Sequence, residues 1–194
     1  MRRSFLGPVG MATATKTVYV LCGLPFSGKT TYAQTLLSAT GALLIERDAF
    51  LEEINSDAQI RERLRGEAAL IQQPLSKLAP TREGNQWNDV VTHEYTRRVR
   101  ATIQASRAET IVVDGTHLWP LSRMFVQLLS DCVCIAIVID TSPEVCVQRL
   151  QASLQEVRGV RATVTPELIH KMSQVFEQPT CEEGFYEVRV IRQG

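Results

Sequence analysis

One octapeptide near the amino terminus constrains this chain more than any other feature. Residues 23–30 read Gly-Leu-Pro-Phe-Ser-Gly-Lys-Thr and fit the pattern G-x-x-x-x-G-K-[ST] at every position. The apolar run at residues 18–22 precedes the octapeptide, and an amphipathic segment follows it. A strand, a glycine-containing loop and a helix in this order point successive backbone N–H groups into one concavity. The pattern therefore predicts a phosphate-binding loop at the start of a helix.

The expected ligands of this loop are a nucleoside triphosphate and Mg²⁺. Glycine at positions 23 and 28 allows backbone conformations and close approaches that a Cβ atom would block. The Lys29 ammonium can reach the β- and γ-phosphates, and the Thr30 hydroxyl can ligate Mg²⁺. We predict that the nucleotide is held by the loop and the residue after it, namely Gly23, Leu24, Pro25, Phe26, Ser27, Gly28, Lys29, Thr30 and Thr31.

Asp114 follows the apolar residues 111–113 and is a candidate Mg²⁺ ligand. An acid at the end of a strand near the loop has the place of a Walker-B residue, which holds Mg²⁺ directly or through water. The alternative is an aspartate that only caps the strand end. AAA-type ATPases usually carry a glutamate next, where this chain has Gly115, and no N-K-x-D guanine signature is present. Both features disfavour a motor ATPase or a GTPase.

Asp48 is the candidate catalytic base. It follows a predicted second strand at residues 42–45, and the carboxyl ends of parallel strands face the ligand crevice. A carboxylate there could accept the proton of an acceptor hydroxyl, which typically contributes about 10²–10⁴-fold to the rate. Asp48 could also cap a helix that starts at residue 49, and the two roles are compatible. Residues 49–86 are expected to form much of the acceptor pocket.

Arginines on and after a helix predicted from Pro143 are candidates for contact with phosphate. They are Arg149, Arg158 and Arg161. Guanidinium groups match phosphate oxygens, and an arginine-bearing lid that closes on ATP would exclude water. A solvated helix face is the alternative. The predicted catalytic set is therefore Lys29, Asp48, Arg149 and Arg158.

Short apolar segments alternate with amphipathic segments along the chain. Strands are predicted at residues 18–22, 42–45, 111–113, 134–139 and 186–191. Helices are predicted at 29–38, within 49–70, from 87, at 120–129, from 143 and after 165. This alternation is typical of an α/β domain with a parallel sheet. We assign residues 17–194 to that domain and residues 1–16 to a flexible tail, whose basic character leaves organelle targeting as an alternative.

Composition excludes several other classes of protein. Lys and Arg together number 21, and so do Asp and Glu, so no global basic field would hold nucleic acid. No apolar run approaches the roughly 20 residues of a membrane helix, and no membrane partner is expected. The five cysteines lack a disulfide framework, which favours reduced thiols and a cytoplasmic protein.

Several motifs resemble those of small, AAA domain-like P-loop kinases that phosphorylate a hydroxyl. Those similar to the kinase domain of phage polynucleotide kinase and its relatives are Arg47-Asp48, Asp114-Gly115-Thr116-His117 and Arg149. A closer resemblance, to L-seryl-tRNA(Sec) kinase and related elongator-associated proteins, is carried by residues 20–25, 166–172 and 176–179. The resemblance implies a three-layer P-loop NTPase fold. Its parallel sheet would have five strands in the order 2-3-1-4-5, with helices on both faces and a helical lid.

The function that the resemblance implies is transfer of the γ-phosphoryl group of ATP to a hydroxyl, with Mg²⁺. The family's aspartate that Asp48 matches is the base, and Arg149 falls on the first lid arginine. The acceptor would be a small molecule, a nucleic-acid end or a tRNA-linked group. We do not expect the carboxy-terminal tRNA-binding domain of those relatives, because the sequence ends at Gly194. The alternative function is an ATP-binding or ATP-hydrolysing regulatory module that acts with an RNA-modification partner.

Overall fold

A parallel five-stranded sheet forms the centre of the fold. The structure is a computed structural model and describes residues 16–76, 78–156 and 164–193. The strands are β1 (Lys16–Cys22), β2 (Leu43–Glu46), β3 (Thr110–Asp114), β4 (Cys132–Asp140) and β5 (Glu187–Arg192). They lie in the order β2-β3-β1-β4-β5, and each neighbouring pair is parallel. The predicted strand order is confirmed.

Helices cover both faces of this sheet. Within the described residues they are α1 (Lys29–Thr40), α2 (Arg47–Ser56), α3 (Ala58–Ala69), α4 (Arg82–Ala105), α5 (Pro120–Arg123), α6 (Pro143–Glu156) and α7 (Pro166–Gln174). Apolar side chains of α2, α3 and α4 pack on one face, and those of α1 pack on the other. The predicted three-layer α/β architecture is confirmed.

The central strands are apolar because both of their faces are covered. Val18 of β1 lies beside Ile111 of β3 and Cys134 of β4, and all three side chains are buried. Strands buried on both faces have continuous apolar runs rather than an alternating pattern. For this reason residues 18–22 and 134–139 can be predicted as strands from the sequence.

A third apolar cluster joins α6 and α7 to the carboxyl ends of the strands. It contains Leu24 of the loop after β1, Leu118 after β3, Leu150 of α6 and Ile169 of α7. Helix α6, from which the lid is predicted to extend, and α7 after it both pack against the loops at the carboxyl ends of the strands. The segment between them, which includes Arg158 and Arg161, lies outside the described residues.

Two predicted helices have different bounds in the structure. Helix α4 begins at Arg82 rather than near residue 87, because the Thr81 hydroxyl accepts a hydrogen bond from the Gly84 N–H and caps the helix. The helix predicted at 120–129 is wrong beyond Arg123, where a short 3₁₀ turn at Val126–Leu128 follows. Arg123, at the end of α5, is fully buried, and its guanidinium donates to Glu183 and to the carbonyls of His117 and Glu177.

Residues 1–15 of the predicted tail lie outside the described residues, and Lys16 is the first residue of β1. Among the described ranges, no helix has the length and apolar character needed to cross a bilayer.

Candidate nucleotide and acceptor site

A cleft of about 1010 Å³ opens at the carboxyl ends of the strands. Its walls come from the loop after β1, from α2, from the end of β3, and from parts of α4, α6 and α7. Most of the predicted site residues that the structure describes line it, namely Pro25, Phe26, Gly28, Lys29, Thr30, Thr31, Asp48, Asp114 and Arg149. The fold therefore brings the sequence-predicted residues of the loop, the two acids and one arginine into one cavity.

The loop at residues 23–30 has backbone angles that glycine supplies. Gly23 has a φ of 148° and Gly28 a φ of 103°. A Cβ atom on Gly23 would lie 2.7 Å from the Ile139 carbonyl oxygen, closer than such atoms approach. The Gly23 N–H donates to the Thr116 carbonyl over 3.0 Å, which ties the loop to the end of β3. Among the described residues, no side chain caps the amino terminus of α1, which begins directly after Gly28. The backbone N–H groups at this terminus are therefore suited to binding an anion.

Lys29 is buried within this loop. Its Nζ donates to the Leu24 carbonyl over 2.6 Å and lies 3.4 Å from the Ser27 hydroxyl oxygen. Burial lowers the pKa of Lys29 to about 8, and the nearby Asp114 carboxylate opposes that effect. The ammonium is therefore still mostly protonated at neutral pH, as contact with a triphosphate requires.

Thr30 and Asp114 meet across the floor of the cleft. The Thr30 hydroxyl donates to Asp114 Oδ2 over 2.9 Å, although 84 residues separate the two. A hydroxyl and a carboxylate are hard oxygen ligands, and Mg²⁺ is usually held by one or two such protein groups together with substrate phosphates. No group of three or more His, Cys, Asp or Glu side chains suited to a metal exists in the described part of the chain. The pair fits a Mg²⁺ ion that a bound nucleotide helps to hold.

Asp48 lies in the first turn of α2 and borders the cleft. The helix begins at Arg47, with Glu46 as the residue before it, so the prediction that Asp48 caps a helix starting at residue 49 is wrong. A carboxylate in the first turn still interacts favourably with the helix dipole. Asp48 is exposed, so its carboxylate is accessible to an acceptor.

Ion pairs outside the cleft fix the helix that carries Asp48. Arg98 of α4 contacts Glu53 of α2 over 2.6 Å and Glu94 of its own helix over 2.9 Å. Glu94 also accepts from Arg97 and from Arg63 of α3. The hydrogen bond from Arg97 is the main reason why the pKa of Glu94 falls to about 2. These contacts join α2, α3 and α4 below the acceptor side of the cleft.

Arg149 reaches the phosphate-binding loop from α6. Its Nη1 donates to the Ser27 carbonyl over 3.0 Å and lies 3.3 Å from the Phe26 carbonyl oxygen. The Thr141 hydroxyl donates to the same Ser27 carbonyl over 2.9 Å. A guanidinium held at the loop is placed to interact with phosphate oxygens. Arg158, the other predicted catalytic arginine, lies outside the described residues.

A buried chain of contacts that sequence reasoning missed supports the acceptor side. The Arg47 guanidinium borders the cleft and lies 5.2 Å from the centroid of the Tyr95 ring. The Tyr95 hydroxyl is 3.3 Å from Nε2 of His117, whose Nδ1 is 2.7 Å from the Leu21 carbonyl oxygen. Since a carbonyl only accepts, Nδ1 carries the proton and Nε2 accepts from Tyr95. The Asp-Gly-Thr-His motif at residues 114–117 is the sequence signal for His117, whereas Tyr95 belongs to no motif.

The buried His117 makes a prediction about stability. Burial lowers the pKa of His117 from 6.5 to about 3, so the folded protein keeps the ring neutral where the unfolded chain protonates it. The titration of this group therefore leaves the free energy of unfolding unchanged above the unfolded pKa and lowers it as the pH falls below that value. The free energy of unfolding should drop by about 2 kcal/mol from this group between pH 7 and pH 5. Urea unfolding across that range measures the loss.

A matched pair of variants isolates the contribution of His117. His117→Gln should be less stable at pH 7 and should lose most of the pH dependence between pH 5 and 7. His93→Gln changes an exposed histidine and should keep the wild-type slope. An unchanged slope in His117→Gln would contradict the assignment of a neutral buried ring.

The sheet order and the glycine-rich loop after β1 define the chain as a P-loop α/β protein. The chain belongs to the AAA domain family, which matches residues 18–179. No curated protein matches the chain.

Solved structures of kinases share this fold. The gluconokinase of Sinorhizobium meliloti 1021 is 18% identical with a TM-score of 0.51, over 92% of this chain and 83% of that chain. A sugar kinase from Janibacter sp. HTCC2649 is 19% identical with a TM-score of 0.55, over 91% and 85%. Shikimate kinase from Acinetobacter baumannii, solved with shikimate, is 17% identical with a TM-score of 0.52, over 94% and 88%. The finer resemblance to polynucleotide kinase and L-seryl-tRNA(Sec) kinase stays a prediction.

Proposed function

We propose that this protein is a Mg²⁺-dependent kinase that transfers the γ-phosphoryl group of ATP to a hydroxyl acceptor. The observation that carries the proposal is one cleft lined by the phosphate-binding loop, by the hydrogen-bonded pair of Thr30 and Asp114, and by Asp48. A site that only bound nucleotide would not need a carboxylate at both positions.

The loop side would hold and polarise the triphosphate. Backbone N–H groups of residues 23–30 and the Lys29 ammonium would bind the β- and γ-phosphate oxygens. Thr30 and Asp114 would hold Mg²⁺, which when bound neutralises charge on the β- and γ-phosphates. Arg149, already at the loop, would stabilise the charge that develops during transfer.

Asp48 would act on the acceptor side. The acceptor hydroxyl oxygen forms a bond to the γ-phosphorus while the bond from that phosphorus to the β-phosphate oxygen breaks. The hydroxyl proton passes to the Asp48 carboxylate, and ADP leaves with the electron pair of the broken bond. Such proton transfer in the transition state is general base catalysis.

A hydrolytic or purely regulatory role has weaker support. An ATP-binding or ATP-hydrolysing module that acts with an RNA-modification partner would also use the loop and Mg²⁺. Gly115 stands where a motor ATPase would carry the glutamate that polarises water.

The five cysteines are free thiols, which supports a cytoplasmic location as part of the proposal.

Radiolabelled transfer tests the proposed function. ATP labelled on the γ-phosphate would be incubated with Mg²⁺ and pools of sugars, amino alcohols, nucleosides, RNA and DNA 5′ ends and charged tRNA. We expect label in an acceptor, and no transfer when Mg²⁺ is omitted. If the label is found only as inorganic phosphate, whichever acceptor pool is present, the protein is a hydrolase and not a kinase.

A further inference from the structure

We infer that the acceptor carries a second hydroxyl besides the one that is phosphorylated, and that Thr92 of α4 binds this second hydroxyl. The inference rests on the kinase function proposed above. Thr92 lines the cleft, although only 1% of the residue is exposed. A polar side chain in the wall of a cavity is one of the few groups that can fix the orientation of a ligand there.

The Thr92 hydroxyl lacks the partner that hydroxyls within helices commonly have. Serine and threonine inside a helix often donate to the carbonyl four residues earlier. Thr35, Ser38 and Thr40 of α1 do so, over 3.2, 2.8 and 2.7 Å. The Thr92 side chain makes no hydrogen bond to any residue that the structure describes. A ligand would supply the missing partner.

This hydroxyl is also open to the cleft. Within the described ranges, two fully enclosed side-chain polar atoms lack a hydrogen-bond partner, namely Thr96 Oγ1 and Trp119 Nε1. Thr92 Oγ1 is not one of them, so the small exposed part of Thr92 includes this oxygen. An unpartnered polar group in a nearly buried position is unfavourable, and a ligand that hydrogen-bonds to it removes that penalty.

Asn88 adds a second hydrogen-bonding group at the same place. It lies one turn before Thr92 on the same face of α4, and it also lines the cleft. Its Nδ2 donates to the Ser76 hydroxyl oxygen over 3.3 Å, which leaves the carboxamide oxygen as an acceptor. A ligand hydroxyl can donate to this oxygen and accept from Thr92 at the same time. An ether oxygen only accepts and an ammonium only donates, so neither matches both groups.

The face of α4 that carries Thr92 lies beside the turn that carries Asp48. Tyr95 follows Thr92 by three residues and shares its face. The Tyr95 ring centroid is 5.3 Å from that of Phe50 and 5.2 Å from the guanidinium carbon of Arg47. Asp48 directly follows Arg47 in the first turn of α2. One hydroxyl of a small diol or polyol would thus lie at Asp48 and react, while another binds at Thr92 and stays unreacted.

Matched three-carbon alcohols test this inference. The diol probes are propane-1,2-diol and propane-1,3-diol. Each is compared with the ether in which its second hydroxyl is methylated, and with propan-1-ol, which lacks that group. Transfer of labelled γ-phosphate from ATP would be measured at equal concentrations. We expect one of the diols to be preferred over both its ether and propan-1-ol, since size alone would favour either the larger or the smaller analogue.

Removal of the Thr92 hydroxyl provides the second readout. Thr92→Val keeps the shape of the side chain. It should lower the ratio of kcat/KM for the preferred diol to that for propan-1-ol by roughly threefold to tenfold, the range for a hydrogen bond between uncharged groups. Thr92→Ser keeps the hydroxyl and should keep most of the preference.

Thr96→Val is the matched control. It makes the same change one turn later on α4, at a buried hydroxyl that likewise lacks a partner in the described part of the chain. Thr96 lines a separate cavity on the outer side of the helix, together with Arg97 and Arg100. The ratio should therefore stay at the wild-type value in Thr96→Val.

Failure of the inference can be told apart from failure of the kinase. Transfer to propan-1-ol or the ethers that equals transfer to both diols, or a ratio unaffected by Thr92→Val, overturns the inference and leaves the kinase standing. If none of these probes is phosphorylated, the acceptor found in the wider pools is compared with its analogue that lacks a second hydroxyl. An acceptor with a single hydroxyl, or one that reacts equally well without its second hydroxyl, overturns the inference, and a poorer reaction of the analogue supports it. Label found as inorganic phosphate alone removes the proposed function, and the inference with it.

Discussion

A Lys29→Ala variant is expected to lose at least about 100-fold in affinity for Mg²⁺-ATP while keeping its fold. The ammonium lies inside the loop, with Nζ 2.6 Å from the Leu24 carbonyl oxygen. It would turn towards the β- and γ-phosphates when the nucleotide binds. Two charge-assisted hydrogen bonds contribute roughly 3 kcal/mol or more together, which corresponds to that factor. Calorimetric titration with Mg²⁺-ATP measures the change.

Lys16 offers a matched control for this experiment. Its Nζ donates to the carbonyls of Ile103 and Ser106, 2.7 Å from each, at the opposite end of β1. Lys16→Ala therefore removes a lysine that is also bound to main-chain carbonyls, but outside the cleft, and it should bind ATP as the wild type does. If Lys29→Ala binds ATP with wild-type affinity, the assignment of the loop to the nucleotide site is wrong.

Asp48→Asn is expected to lower kcat by about 10²–10⁴-fold, the usual contribution of a general base. Asparagine keeps the size of the side chain but does not take a proton from the acceptor. The affinity for ATP should change little, because Asp48 lies on α2 and not in the loop that holds the phosphates. Steady-state kinetics with the identified acceptor, together with ATP titration, separate the two effects.

A matched substitution at a distant carboxylate controls for the loss of one negative charge. Glu62→Gln removes one negative charge from an exposed site on α3 and should retain wild-type kcat. Turnover by Asp48→Asn at the wild-type rate would reject the base role. A parallel loss of ATP affinity would instead show that Asp48 helps to hold the nucleotide.

The elements that could be predicted from sequence are those with a local signal. The octapeptide at residues 23–30 has fixed spacing and lies between a strand and a helix, so its position follows from neighbours along the chain. The meeting of Thr30 and Asp114 follows from the same logic, because adjacent parallel strands bring their carboxyl ends to one edge of the sheet.

Contacts that depend on distant packing had no such signal. His117 contacts the Leu21 carbonyl, 96 residues away in sequence, and Tyr95, 22 residues away. No periodicity in the sequence predicts either contact. The end of α5 at Arg123 was also missed. There the Arg123 guanidinium is fully buried and donates to Glu183 and to the His117 carbonyl, and a partner 60 residues away has no signal in the local sequence.

The position of a bound nucleotide tests the central claim most directly. A crystal structure with a non-hydrolysable ATP analogue and Mg²⁺ would show where the triphosphate lies. We predict that the amides of residues 23–30 surround the phosphates, that the metal lies at Thr30 and Asp114, and that the γ-phosphate faces Asp48 across the cleft. A triphosphate bound elsewhere would contradict the account. So would a γ-phosphate placed where an acceptor beside it could not contact Asp48.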